Sequence, residues 1–255
     1  IPRILSLSDL IITGAAEAAI MVDNLEWLSA KGIIITGTKV GLHVMGIEPL
    51  PFLPSAMITD SSIQAGIGIK CLGASCGIAD NLISANTSGI VLEDAPGSRI
   101  KGNKINWFKF NPQPDPPDSM IAVTDSPGTS ISENTLTGNP VSNGNTHGIQ
   151  LAGSSNHGIV IVNNLTGFGD DGVQALSSGC LIKGNLINNN QGQAIYLAGE
   201  GHVVDDNRLG LNRGFGLFVD AGVHIYRNNV LLGNSAGAVG GPAMAGLVNG
   251  GGNIQ

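Results

Sequence analysis

Residues 172–197 read GVQALSSGCLIKGNLINNNQGQAIYL, one full turn of a repeat and the start of the next. Gly172-Val173-Gln174-Ala175 opens the turn and Ala194-Ile195-Tyr196-Leu197 reopens it, each as small residue–apolar–x–apolar. Between them Ile182-Lys183-Gly184-Asn185-Leu186-Ile187 has the form apolar–x–x–Asn–x–apolar. Apolar residues at every second position mark short strands with one buried face. A period near 22 residues is too short for a leucine-rich repeat with a full helix, and it fits one coil of two or three short strands joined by tight turns.

The same two units extend through the chain. The first apolar anchors are Ile20, Leu42, Ile67, Ile90, Ile121, Ile149, Val173, Ile195 and Leu217, at spacings of 22, 25, 23, 31, 28, 24, 22 and 22. The asparagines of the second unit are Asn81, Asn103, Asn134, Asn163, Asn185, Asn207 and Asn228, with Ser61 in that slot one coil earlier. Two independent columns of matching period predict an all-β chain, a right-handed parallel β-helix of about nine coils. Stacked coils place like residues over like, so the asparagines form a ladder whose amides bond along the stack. Residues 19–234 are expected to be the helix, 1–18 an N-terminal cap, and the Gly/Ala-rich 235–255 a C-terminal tail or cap, because open ends expose strand edges. The Pro-rich stretch 46–55 reads as a loop.

Composition agrees with a solenoid. Hydrophobic residues are 42%, charged residues only 12%, and there are 38 glycines with no three-residue period, which excludes collagen. The net charge of −7 argues against non-specific nucleic-acid binding and against a polybasic membrane contact. No apolar run reaches the roughly 20 residues that span a bilayer. The chain starts at Ile1 with no basic segment followed by an apolar one, so any signal peptide is expected to lie outside this sequence. Cys76 and Cys180 share a column four coils apart, roughly 19 Å at ~4.8 Å per coil, too far to bridge, so Cys71, Cys76 and Cys180 are expected as buried free thiols.

Two coils exceed the period at one corner, through Asn106–Asp118 and Gly138–Thr146. Neighbouring insertions project side by side and wall the adjoining sheet. Trp107, Phe108 and Phe110 offer rings for stacking on sugars; the same rings also suit stapling the loop to the solenoid. The residue before each Gly–apolar step includes His147 and, one coil on, Asp171, about 5 Å apart at the backbone and within general acid–base reach. Asp170, Asp171 and His147 are thus the candidate catalytic residues, and Asp118, Asp170 and Asp171 a candidate Ca²⁺ site. The plain alternative is that these side chains cap tight turns. Lys101, Lys104, Lys183 and Arg208 read as a solvated face.

Over residues 19–234 the coils resemble the pectin-lyase-like right-handed β-helix superfamily. Gly169-Asp170-Asp171, His157-Gly158 and Arg99-Ile100-Lys101 look like pieces of the polygalacturonase signature, but they run in reverse order. The Asn-Thr-Asp motif of that family and the Asp-Pro-His motif of alginate-type epimerases are absent. The resemblance implies an extracellular or cell-surface protein that binds or processes polysaccharide as a lyase, hydrolase or epimerase. Asp171 or Asp170 would then act with His147, and the Trp107 loop would hold sugar. Arg213 is the nearest residue for neutralising a uronate carboxylate, with Ca²⁺ as the other means. A non-catalytic surface, adhesive or spike-like β-helix is the alternative.

Overall fold

The computed structural model describes residues 4–14, 17–24, 26–46, 55–108, 119–139, 146–155 and 157–255. Each coil has three faces. The first face is an eleven-stranded parallel sheet running from Ile4–Ser8 to Leu247–Asn249. The second and third faces form one sixteen-stranded sheet, because Ile34–Met45, Ser62–Leu72 and Leu82–Glu93 pass through their shared corner without a break. Beyond Glu93 this corner opens. Lys104–Trp107, Thr135–Thr137, Asn164–Thr166, Leu186–Asn188 and Arg208–Gly210 stay on the second face. Ser119–Thr124, His147–Ala152, Val173–Ala175, Ile195–Leu197, Phe215–Val219 and Gly237–Gly240 form the third. Parallel pairing thus extends on both sides of residues 19–234.

The core is a set of apolar columns. Ile20, Leu42, Ile69, Ile90, Ile121, Ile149, Val173, Ile195 and Leu217 stack in register on the third face, all buried. Ile58, Ile78, Ile100, Ile131, Val160, Ile182 and Val204 do so on the first face. Each such side chain contributes about 1.5–3 kcal/mol by leaving water. The anchor of the third coil is Ile69, not the expected Ile67. The register slips by one residue between Thr36 and Thr38 and again between Ala65 and Ile67, and because Ile67 and Ile69 belong to one alternation the sequence does not tell which of them stacks on Leu42. The outward residue there is consequently Lys70, paired with His43 and Val91.

The turn from the first face to the second is held by side-chain amides. Asn81 donates its Nδ2 to Asn103 Oδ1 at 2.9 Å, and the same bond links Asn103 to Asn134, Asn134 to Asn163, Asn163 to Asn185 and Asn185 to Asn207. Each Oδ1 also accepts the backbone N–H of the previous rung, and each Nδ2 also reaches a carbonyl, as Asn163 does with Ile131 and Ile161. Ser61 starts the file by accepting the Ile33 N–H and giving its own N–H to Asn81. The rung after Asn207 is Asn229, not Asn228, and the file passes on to Asn253. Asn228 takes the left-handed turn position at φ 57° and donates to Asp205 instead. A second file, Asn190–Asn212–Asn234, runs along the opposite edge of the second face.

The cysteines depart from expectation. Cys71 and Cys76 form a disulfide, with Cα atoms 6.8 Å apart, while Cys180 is free and buried. Column distance correctly separates Cys76 from Cys180, but it does not govern Cys71. That residue ends a third-face strand, and the next corner turns the chain back onto the first face five residues later.

Above Cys180 the column continues as two buried histidines. His202 Nδ1 accepts the Cys180 N–H at 3.1 Å, His224 Nδ1 accepts the His202 N–H at 3.3 Å, and the rings stack at 4.9 Å. Burial lowers the affinity of His202 for a proton, opposed by the Ala198 carbonyl and reinforced by His224. A histidine whose folded pKa lies below the unfolded 6.5 adds stability that is complete above pH 6.5 and lost as pH falls beneath it. Thermal melts at pH 7.5 and 5, each read against His202→Asn so that titration elsewhere in the chain cancels, are expected to show this loss. His202→Asn, which keeps the acceptor but cannot charge, should flatten the difference; an equal loss in the variant would refute the assignment.

Candidate functional site

The corner between the second and third faces carries both extended coils. Most of the two insertions, 109–118 and 140–145, lies outside the described residues, and so do Phe110, Asp118 and the Ca²⁺ set that needs Asp118. Trp107 ends a second-face strand opposite Ala85 and packs half-buried against the core, with its indole N–H lacking a partner among the described residues. Phe108 donates its backbone N–H to the Ala85 carbonyl and lines a groove at the same corner.

His147, Asp170 and Asp171 meet. His147 begins the strand His147–Ala152, and Asp171 occupies the same column one coil on. His147 Nδ1 lies 3.7 Å from Asp171 Oδ2, and Nε2 lies 4.0 Å from Asp170 Oδ2. The column also explains why these residue types stand there. His147 Nδ1 accepts the Asp171 N–H at 3.4 Å, Asp171 Oδ1 accepts the Gln193 N–H at 2.6 Å, and Gln193 Oε1 accepts the Phe215 N–H at 2.5 Å. Each side chain caps the backbone of the next coil, whereas each rung of the asparagine file caps the previous one. Capping and acid–base chemistry therefore coexist in the same atoms.

Exposure separates the two carboxyls. The Asp170 side chain is 33% exposed, whereas Asp171 is 5% and His147 8%. Burial, and then the charge of Asp170, push the Asp171 carboxyl up to about 7, against the pull of the Gln193 N–H. With Nδ1 accepting from the backbone, the neutral His147 ring carries its proton on Nε2, toward Asp170. The three residues also bring ligand atoms within 4.8 Å of one another. One nitrogen with two carboxylates suits a borderline divalent cation better than Ca²⁺, which takes oxygen ligands.

Residues not singled out beforehand complete the surroundings. Outward on the third face, Gln150 Nε2 donates to Gln174 Oε1 at 2.6 Å. Tyr196 and Phe218 follow, stacked at 5.5 Å, with Phe215 5.9 Å from Phe218. Burial and the neighbouring Asp220 and Asp171 push the Tyr196 phenol up to about 12, so it remains a donor. The sequence signal was present: Tyr196 stands two coils beyond Gln150 in its column. Arg213 is exposed, two coils beyond Asp170, or about 10 Å along the stack. The polygalacturonase-like fragments are scattered. Arg99 and Lys101 lie on the first face, where Lys101 pairs with Glu133 at 3.3 Å. His157 sits at the corner between the third and first faces with φ 60°.

A continuous three-faced winding with an acid–histidine cluster on one edge defines a parallel β-helix protein with a single marked corner. Residues 68–236 match the family described as right handed beta helix region, and the chain belongs to that family. By sequence no curated protein matches it. Among solved structures it is similar to a mutant of the periplasmic alginate epimerase AlgG, with TM-score 0.64 and 14% identity over 99% of this chain and 73% of that one. It is also similar to the A-module of the Azotobacter vinelandii mannuronan C-5 epimerase AlgE6, with TM-score 0.62 and 13% identity over 98% of this chain and 80% of that one. At such identities the likeness is one of backbone winding. Among the described residues no helix is long and apolar enough to cross a membrane.

Proposed function

We propose that the protein processes a polysaccharide by proton transfer at the corner formed by His147, Asp170 and Asp171, working outside the cell or in the periplasm. The observation that carries this is the pairing of a buried carboxyl, raised to about 7, with a partly exposed carboxylate and a histidine at 3.7 and 4.0 Å. Two carboxyls whose surroundings push their proton affinities apart are suited to acid and base roles. Asp170 is the group that meets substrate. Asp171 and His147 lie beneath it and set its proton. Gln174, Tyr196 and Phe218 give the adjoining face amide, phenol and ring surfaces against which a sugar can lie.

A lyase or epimerase step suits this arrangement, because it needs one group to take the proton beside a carboxylate and another to give one, back to that carbon in an epimerase or to the departing oxygen in a lyase. The alginate epimerases of similar winding support that choice over hydrolysis. Among the described residues no Lys or Arg pairs with the cluster, so a uronate carboxylate would rely on the Gln and Tyr donors, on Arg213, or on a divalent cation. The test is a panel of alginate, pectin and neutral glycans, followed by unsaturated-product absorbance, reducing ends and NMR of C5 configuration, with Ca²⁺ and with chelator. Turnover on one member, lost in Asp170→Asn, is expected. Binding without turnover on any of them would leave the non-catalytic surface β-helix as the correct reading.

A further inference from the structure

On the same edge, over the three strands that pass the corner unbroken, lies a groove of about 790 Å³, a volume ordinary for a small-ligand site. Its lining includes Thr38, Gln64, Asn86 and Phe108. The Thr38 residue is 7% exposed, and its hydroxyl is buried with no hydrogen-bond partner among the described residues. That hydroxyl is covered and lies beneath the surface of the groove, whereas the exposed Gln64 offers its amide to an occupant. Asn86 is 8% exposed, and among the described residues its Oδ1 accepts only a long 3.4 Å bond from the Thr87 hydroxyl. The floor is flat for a definite reason. A Cβ on Gly66 would come within 2.6 Å of the Lys39 carbonyl oxygen, so no side chain fits there. The nearby Lys39 is already neutralised by Glu17 at 3.1 Å. Apolar floor, aromatic wall, amide and hydroxyl rim and no free charge are complementary to an uncharged pyranose ring, which has apolar faces and a hydroxyl edge.

We propose that this groove is a remote subsite holding uncharged units, neutral sugars or esterified uronates, of a mixed glycan whose free uronate is processed at Asp170. It rests on the function proposed above. The Asn86 corner precedes the Asp170 corner by three coils, about 14 Å at ~4.8 Å per coil, so only an extended oligosaccharide reaches both. The effect of the groove is therefore length-dependent: it strengthens binding of long substrates and leaves short ones and the chemical step alone.

The experiment compares disaccharides with octasaccharides from the glycan panel, by calorimetric titration and by turnover, in the wild type, Phe108→Ala, Gln64→Ala and Asp171→Asn. The octasaccharide is expected to bind at least about tenfold more tightly than the disaccharide. Phe108→Ala and Gln64→Ala should each remove most of that advantage and leave disaccharide binding as in the wild type. Asp171→Asn should keep the advantage while losing turnover. A length advantage untouched by both groove substitutions, or none at all beside normal turnover, overturns the subsite and leaves the proposed function standing. Loss of the advantage in the groove variants of a protein that turns over nothing keeps the groove and overturns catalysis. Self-association reversed by Phe108→Ala would assign the groove to a second copy of the chain and overturn the proposal.

Discussion

Asp171→Asn is expected to lower turnover by about 10²–10⁴-fold and, at pH 8, to make the protein more stable. Both effects follow from one carboxyl. Folded, Asp171 holds its proton to about pH 7; unfolded, it releases it near 3.8. A raised folded value contributes stability that is complete below about pH 4 and lost as pH climbs through 7. Above pH 7 the native state keeps a buried negative charge beside Asp170. The stabilisation so gained by the variant is on the order of a few kcal/mol. Asparagine retains the oxygen that accepts the Gln193 N–H and never ionises. Melting curves at pH 8 should therefore favour the variant, and at pH 4 the two proteins should coincide. A variant equally stable at both pH values, or destabilised at pH 8, would show that Asp171 is an ordinary ionised cap.

The second large effect lies in the asparagine file. Asn163→Ala should cost about 2–4 kcal/mol, measured as the loss of midpoint in urea. The substitution strips the backbone N–H of Asn134 of its acceptor and the Ile131 carbonyl of its side-chain donor; Asn134 Nδ2, the Ile161 carbonyl and Asn185 Oδ1 each lose one bond and keep another. Each buried polar group left unpaired costs about 1–3 kcal/mol, and a native state commonly holds only about 5–15. Asn253→Ala, at the partly buried end of the file, should cost less than about 1.5 kcal/mol. Equal losses at the two rungs would mean that the file contributes little beyond its individual bonds to solvent-accessible neighbours.

The winding was legible because it repeats: Ile149, Val173, Ile195 and Leu217 are read from spacing alone, and their pairing on the third face follows. What escaped was local. Ile69 is hidden behind Ile67 because the two belong to one alternation. Asn229 is hidden behind Asn228 because adjacent asparagines differ only in backbone conformation, one left-handed and one buried. Cys71 pairs with Cys76 across a corner, a contact that column arithmetic does not include. At the candidate site the column order brought His147 and Asp171 together, since one coil separates them. Which carboxyl faces solvent, and that Tyr196 comes close enough to feel Asp171, depends on side-chain direction at the corner.

The corner that three long strands cross unbroken, and that later coils leave open, bears on how such a chain acquires variety. In Ile34–Met45, Ser62–Leu72 and Leu82–Glu93 any added residue must disturb backbone pairing on two faces at once. After Trp107 an addition lengthens a connection and disturbs neither face. Diversification is thereby channelled to one edge of the later coils, while the early coils stay a fixed plate beside it. Loops exchanged between Trp107 and Ser119 can alter what is recognised without asking the scaffold to refold.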